Sequence, residues 1–87
     1  MDLENGQRYE GELNKSGERE GRGKLFFPNG SYFEGNWLKD RYHGYGRHIE
    51  AFRDIVYEGY FESGLKQGEG KLTQADGETY EGDWKDN

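Results

Sequence analysis

The sequence predicts an all-β fold: an elongated, single-layer antiparallel meander of tandem hairpins. Three observations carry this. An aromatic-Glu-Gly segment that closes on a large apolar residue recurs at Tyr9–Leu13, Phe33–Trp37, Tyr57–Phe61 and Tyr80–Trp84, in steps of 24, 24 and 23 residues. A Gly-x-Gly follows each of the first three, at Gly21–Gly23, Gly44–Gly46 and Gly68–Gly70. Turn dipeptides Asn5-Gly6, Asn29-Gly30 and Asp76-Gly77 each place a glycine three residues ahead of an aromatic start. A period in this range marks a repeat architecture, in which each unit buries its apolar face against its neighbours.

Residues 1–8 are a short lead-in that ends in the first turn. Tyr9–Leu13 then alternates large apolar and polar residues with period two, the pattern of a half-buried strand. A helix would lose roughly 1 kcal/mol at each interior glycine. The second strand runs outward from the glycine pair, with Gly21, Gly23, Leu25 and Phe27 on one face and Arg22, Lys24 and Phe26 on the other. Asn-Gly and Asp-Gly supply the positive φ of tight turns and join each repeat to the next. Repeats 9–32, 33–56 and 57–79 and a partial repeat 80–87 thus make one array over residues 1–87. About seven strands at roughly 4.8 Å each span about 30 Å.

Two places break the period. Asn14–Glu20 is one residue longer than its counterparts, which lengthens the first hairpin tip. The connection after Gly46 lacks the turn glycine, and its Ile49, Phe52, Ile55 and Val56 form the richest apolar patch outside the periodic positions. These residues read either as a plug for the sheet or as a docking surface.

Bulk composition points away from a conventional core. Leu, Ile, Val and Phe make up about 16 % of the chain, below the roughly 20 % of folded domains, and the formal net charge is −6. Disordered chains, however, are poor in aromatics. Here 16 % of residues are aromatic, and all fifteen glycines fall on repeat positions. Rings lying over bare backbone can replace the missing aliphatic core.

The ladder Tyr9, Leu13, Phe33, Trp37, Tyr57, Phe61, Tyr80 and Trp84 therefore has two open roles. It is structural if each ring covers the next repeat's glycines. It is a partner-binding surface if a one-layer sheet leaves rings part-exposed as anchors for an amphipathic helix or extended segment. Tyr60, Tyr45, Tyr32 and Phe26 share the opposite face and offer a second, thinner surface. There Glu10 and Glu12 can meet Arg22 and Lys24, exposed pairs that serve register and solvation more than stability.

Several classes of function are disfavoured. Without cysteine there is neither a disulfide framework nor a thiolate metal site, which suits a reducing, intracellular compartment. The start of the chain has no signal core, and no apolar run is long enough to span a bilayer, so a soluble, cytoplasmic protein is expected. The acidic balance argues against nucleic acid and against bulk attraction to anionic lipid. Its surplus sits towards the C-terminus, since residues 9–56 are neutral while 57–79 carry −3 and 80–87 carry −2. A basic or amphipathic partner segment with salt-sensitive association is the expectation. The Gly-x-Gly pairs lack the third glycine and the following helix of a dinucleotide fingerprint, and the stretches ending Gly23-Lys24 and Gly70-Lys71 miss phosphate-loop spacing. His43 and His48 lack a third ligand for zinc. The repeated Glu10, Glu34, Glu58 and Glu81 come as an equivalent fourfold set, unlike an acid–base pair. Sequons at Asn14 and Asn29 are discounted without a secretory signal. No enzyme activity, cofactor or metal is expected.

Tyr-Glu-Gly-x-Trp, then Gly-x-Gly and Asp-Gly, on a step of about 23 residues resembles the MORN (membrane occupation and recognition nexus) repeat, over residues 5–87. The resemblance implies a curved antiparallel sheet with an aromatic-lined groove and a scaffolding or docking role, in assemblies of the cytoskeleton, cilium or membrane–cytoskeleton junction. It also keeps open a phospholipid-headgroup or membrane-surface role. The last unit is expected to be half a hairpin, which reads as a truncation, as an edge that pairs with a partner or a second copy, or as a strand that caps the array.

Overall fold

Alternation of rings with glycine and charge builds seven strands in the computed structural model, which describes residues 2, 3 and 5–85. They are β1 (Arg8–Leu13), β2 (Arg19–Phe26), β3 (Tyr32–Leu38), β4 (Arg41–Glu50), β5 (Ile55–Glu62), β6 (Leu65–Thr73) and β7 (Thr79–Trp84). They form one antiparallel sheet in chain order, the expected meander. Its Cα extents are 40 × 26 × 17 Å. The smallest far exceeds the pleat depth of a flat layer, so the sheet twists and curls.

Register aligns like with like. Gly11, Gly23, Gly35, Gly46, Gly59, Gly70 and Gly82 pair successively into one glycine row across all seven strands. Beside it runs a row of alternating charge, Glu10, Lys24, Glu34, Arg47, Glu58, Lys71 and Glu81, on the face away from the rings. Opposite charges face one another at each step, and a slip of one residue would move every ring to the wrong face. The ion pairs differ from expectation: Glu10 meets Arg8 at 2.7 Å and Lys24 reaches Glu34 of the next repeat at 4.0 Å. The Glu12 carboxylate instead accepts the Arg22 backbone N–H at 2.7 Å.

The turns follow from local chemistry. At Asn5-Gly6, Asn29-Gly30 and Asp76-Gly77 the Asx oxygen accepts the N–H two residues on, at 3.4, 2.9 and 2.9 Å. This is the Asx turn that favours these residues. Within repeats, Lys39-Asp40 (φ 48° and 68°) and Ser63-Gly64 (φ 51° and 86°) close two-residue hairpins. The first hairpin has the expected longer tip, organised by Asn14 Oδ1, which accepts from the Ser16 and Glu18 N–H groups, each at 2.9 Å. The glycine-free connection is a four-residue turn over 51–54, anchored where the Ala51 N–H donates to the buried Ser31 Oγ at 2.9 Å. Of its apolar patch, Ile49, Ile55 and Val56 are half-buried in strands, whereas Phe52 projects at 89 % exposure.

The two glycines of each pair serve different ends, a distinction the sequence did not show. From Gly35 to Trp37 is two residues, yet the paired stretch from Gly46 back to Tyr42 is four, so β4 bulges. Gly44 sits in that bulge at φ 87°, and Gly21 and Gly68 occupy the same place at 76° and 81°. Such a left-handed backbone suits glycine. The second glycine lies under a ring: a Cβ on Gly46 would collide with the Phe33 ring.

Candidate docking face

The rings assemble as an edge-to-face chain. Trp37 stands against Tyr9 and Phe33 at centroid distances of 5.4 and 5.3 Å. Phe61 stands against Phe33 and Tyr57 at 5.2 and 5.1 Å, and Trp84 against Tyr57 at 5.4 Å. Trp37 and Phe61 thus wedge between the leading ring of their own repeat and that of the repeat before, whereas Trp84 stands against the leading ring of the repeat before. Trp37 Nε1 also donates to the Gly23 carbonyl at 3.1 Å, and Trp84 Nε1 to that of Gly70 at 3.2 Å. Coupling between neighbouring repeats runs through these side chains.

The leading rings depart from expectation. The first three cover their own hairpin's glycines rather than the next repeat's: Tyr9 lies on Gly11 and Gly23, Phe33 on Gly35 and Gly46, Tyr57 on Gly59 and Gly70. The hairpin partner is the nearest bare backbone. Tyr9 and Tyr57 fix themselves by donating their hydroxyls to the carbonyls of Glu12 and Tyr60, at 2.8 and 3.1 Å.

Burial divides the eight ladder residues. Tyr9, Phe33, Trp37, Tyr57 and Phe61 are buried, with Leu25, and form the core. Trp84 is half-buried, and Leu13 and Tyr80 are exposed at 46 % and 49 %. The five buried rings present almost no surface to a partner, so accessible area on this face comes from what lies around them.

Those surroundings include residues that sequence reasoning passed over. Arg19, Tyr42 and Lys66 each stand two places before the first glycine of a pair and lean over the ladder. The Arg19 guanidinium lies 4.6 Å from the Trp37 ring, Tyr42 stacks on Phe33 at 3.7 Å, and Lys66 approaches the Tyr57 ring at 5.4 Å. The equivalence of position was legible, but three unlike side chains gave no recurring type to notice. Asp40 locks Arg19 in place, accepting its Nε–H at 3.1 Å and its backbone N–H at 2.7 Å. The backbone hydrogen bond from Arg19, aided by the guanidinium, holds the Asp40 carboxyl below its ordinary value. Burial pushes the Tyr42 phenol up to about 12.

Between these groups opens a cleft of about 290 Å³, with Leu25, Phe27, Trp37 and Tyr42 as floor and Arg19, Asp40 and Arg41 at the rim. It is an accessible concavity with an apolar floor on the ring face. Among the described residues, no group of three or more His, Cys, Asp or Glu side chains could hold a metal ion, and no helix is long and apolar enough to cross a membrane.

His48 is a polar residue in an apolar slot of this face. It occupies the slot of Leu25 and Leu72 in the other repeats, close to Phe27 and Tyr42 at 6.4 and 6.1 Å. Burial holds its imidazole below the ordinary value, Lys66 adds to that, and Glu50 opposes it. The unfolded chain therefore binds the proton more readily. Stability is full above the unfolded value of about 6.5 and falls as pH drops through it towards the folded value. His48→Leu is expected to flatten that slope between pH 8 and pH 5. At pH 8 it should add about 1 kcal/mol of apolar burial, or about 4–8 °C in Tm. Calorimetry at both pH values checks this; equal slopes in the two proteins would refute it.

The MORN repeat family model covers residues 9–32, 33–49, 57–79 and 80–87. Its second segment ends just before the 51–54 turn, where the chain departs from the repeat.

Proposed function

The chain belongs to the MORN repeat family, and on that premise we propose that it is a non-catalytic protein–protein interaction module, a small scaffold or adaptor in a cytoplasmic assembly of the cytoskeleton or cilium. The supporting observation is the cleft at Trp37 and Tyr42, whose apolar floor and charged rim match one apolar anchor of an amphipathic helix or extended segment, with flanking polar groups for the rim. Its floor rings are fixed by the core, so docking orders few side chains and loses little affinity to entropy.

Placing a photo-crosslinking amino acid at Arg41, on the rim, and separately at Glu10, on the opposite face, tests the reading in source cells. A discrete protein adduct from position 41 and none from position 10 is the expected result. Equal adducts from both positions would refute docking at the cleft. The acidic charge weighs against a phospholipid headgroup as ligand. Co-flotation with phosphoinositide vesicles, without any protein adduct, would establish that reading instead.

A further inference from the structure

Across the glycine row from the alternating charges, the face away from the rings changes character along the array. Arg22 pairs with Asn36, then Tyr45 with Tyr60, then Glu69 with Asp83. The two tyrosines meet edge to face at 5.5 Å yet stay 51 % and 48 % exposed, and neither joins the buried ring chain. Glu69 and Asp83 are like charges in direct cross-strand register, an arrangement that destabilises a sheet. Lys71, the cation that lines the trough with them, is turned to Glu81 at 3.9 Å. These residues border an open trough of about 630 Å³ over Gly59, Gly70 and Gly82, with carboxylates of Glu58, Glu69, Glu81 and Asp83 against the single ammonium of Lys71.

We propose that this trough is a second docking surface, for a short basic segment of a protein partner lying in extended form across β4 to β7. Charge complementarity selects the occupant, since the walls carry a surplus of three negative charges beside two accessible rings. A guanidinium or ammonium stacked on Tyr45 or Tyr60 gains a cation–π contact. Its neighbours along the segment meet Glu69 and Asp83, and a cation set between those carboxylates removes a repulsion that the free sheet retains. Three strand spacings amount to about 14 Å, the length of about four extended residues, so four or five residues fill the site. The surface is separate from the cleft at Trp37, on the other side of the sheet.

The test uses a fluorescein-labelled pentapeptide of alternating arginine and lysine, with a serine–glutamate pentapeptide as control. Binding is followed by anisotropy at low and high salt and mapped by backbone amide shifts. Binding of the basic peptide alone is expected, weakening with salt, with shifts confined to residues of β4–β7 on this face. Glu69→Gln with Asp83→Asn should weaken it about tenfold or more. Tyr45→Ser with Tyr60→Ser, which leaves every charge in place, should weaken it about fivefold. Circular dichroism melts establish that both variants are folded. Glu69→Lys places a cation opposite Asp83 and should raise Tm while abolishing binding. Equal affinity in the tyrosine variant, or shifts scattered over all acidic residues, would reduce the interaction to unspecific attraction and overturn the proposal.

Discussion

Gly46→Ala is expected to cost about 2–3 kcal/mol, the upper part of the usual range for overpacking. The added methyl group would enter the space of the Phe33 ring. That ring cannot retreat: Phe33 is fully buried, stacked on Tyr42 at 3.7 Å, and held edge-on by Trp37 at 5.3 Å and Phe61 at 5.2 Å. Any shift must pass to both neighbouring repeats. For a domain of this size the loss lowers Tm by roughly 10–20 °C. The cause is open to test by a double-mutant cycle. Phe33→Leu shortens the side chain and destabilises by itself, but it frees the volume that the methyl needs. Combined with Gly46→Ala, the total should fall short of the sum by about 1 kcal/mol or more. Strict additivity in urea denaturation would show that the glycine matters for some reason other than the ring above it.

Trp37→Ala is expected to cost about 3–5 kcal/mol and to loosen the first repeat before the others. Its indole touches Tyr9 and Phe33, receives the Arg19 guanidinium at 4.6 Å, and donates to the Gly23 carbonyl at 3.1 Å. Every one of these contacts except that with Phe33 reaches into residues 9–23, so the side chain joins β1 and β2 to the rest. Hydrogen exchange should show the greatest loss of protection in β1 and β2, with β5 and β6 less affected. Trp84→Ala offers the contrast. Among the described residues that half-buried indole stands against one ring, Tyr57, and donates to one carbonyl, Gly70, so its loss should be smaller and centred on β6 and β7. Uniform loss of protection in Trp37→Ala would mean that the array unfolds as one unit rather than repeat by repeat.

Much of the fold was legible because the repeat period carries register with it. Gly11, Gly35, Gly59 and Gly82 recur in equivalent strands, and hairpin pairing brings Gly23, Gly46 and Gly70 opposite them. The turns were legible for a local reason, since Asn29 and Asp76 need only their own neighbours to cap a turn. The docking face was less so. Leu13, Trp37, Phe61 and Trp84 hold the same motif position, yet Leu13 is exposed and Trp37 is buried. The closing residues Trp37 and Phe61 are covered by the leading ring of the repeat before, and no ring among the described residues stands in that place over Leu13. Tyr80 is exposed for the complementary reason, as no ring among the described residues wedges against it, whereas Trp37 and Phe61 wedge against Tyr9, Phe33 and Tyr57.

An all-β meander of ring-on-glycine hairpins is written into the chain locally, because period-two alternation and turn chemistry act between residues close along it. Tertiary structure alone decided which rings are core and which surface a partner can reach. Burial here depends on edge-to-face wedging between repeats and on Arg19, Tyr42 and Lys66 leaning over the ladder. It decided likewise that the first glycine of each pair shapes a bulge while the second carries a ring, since two and four residues must span the same distance on paired strands.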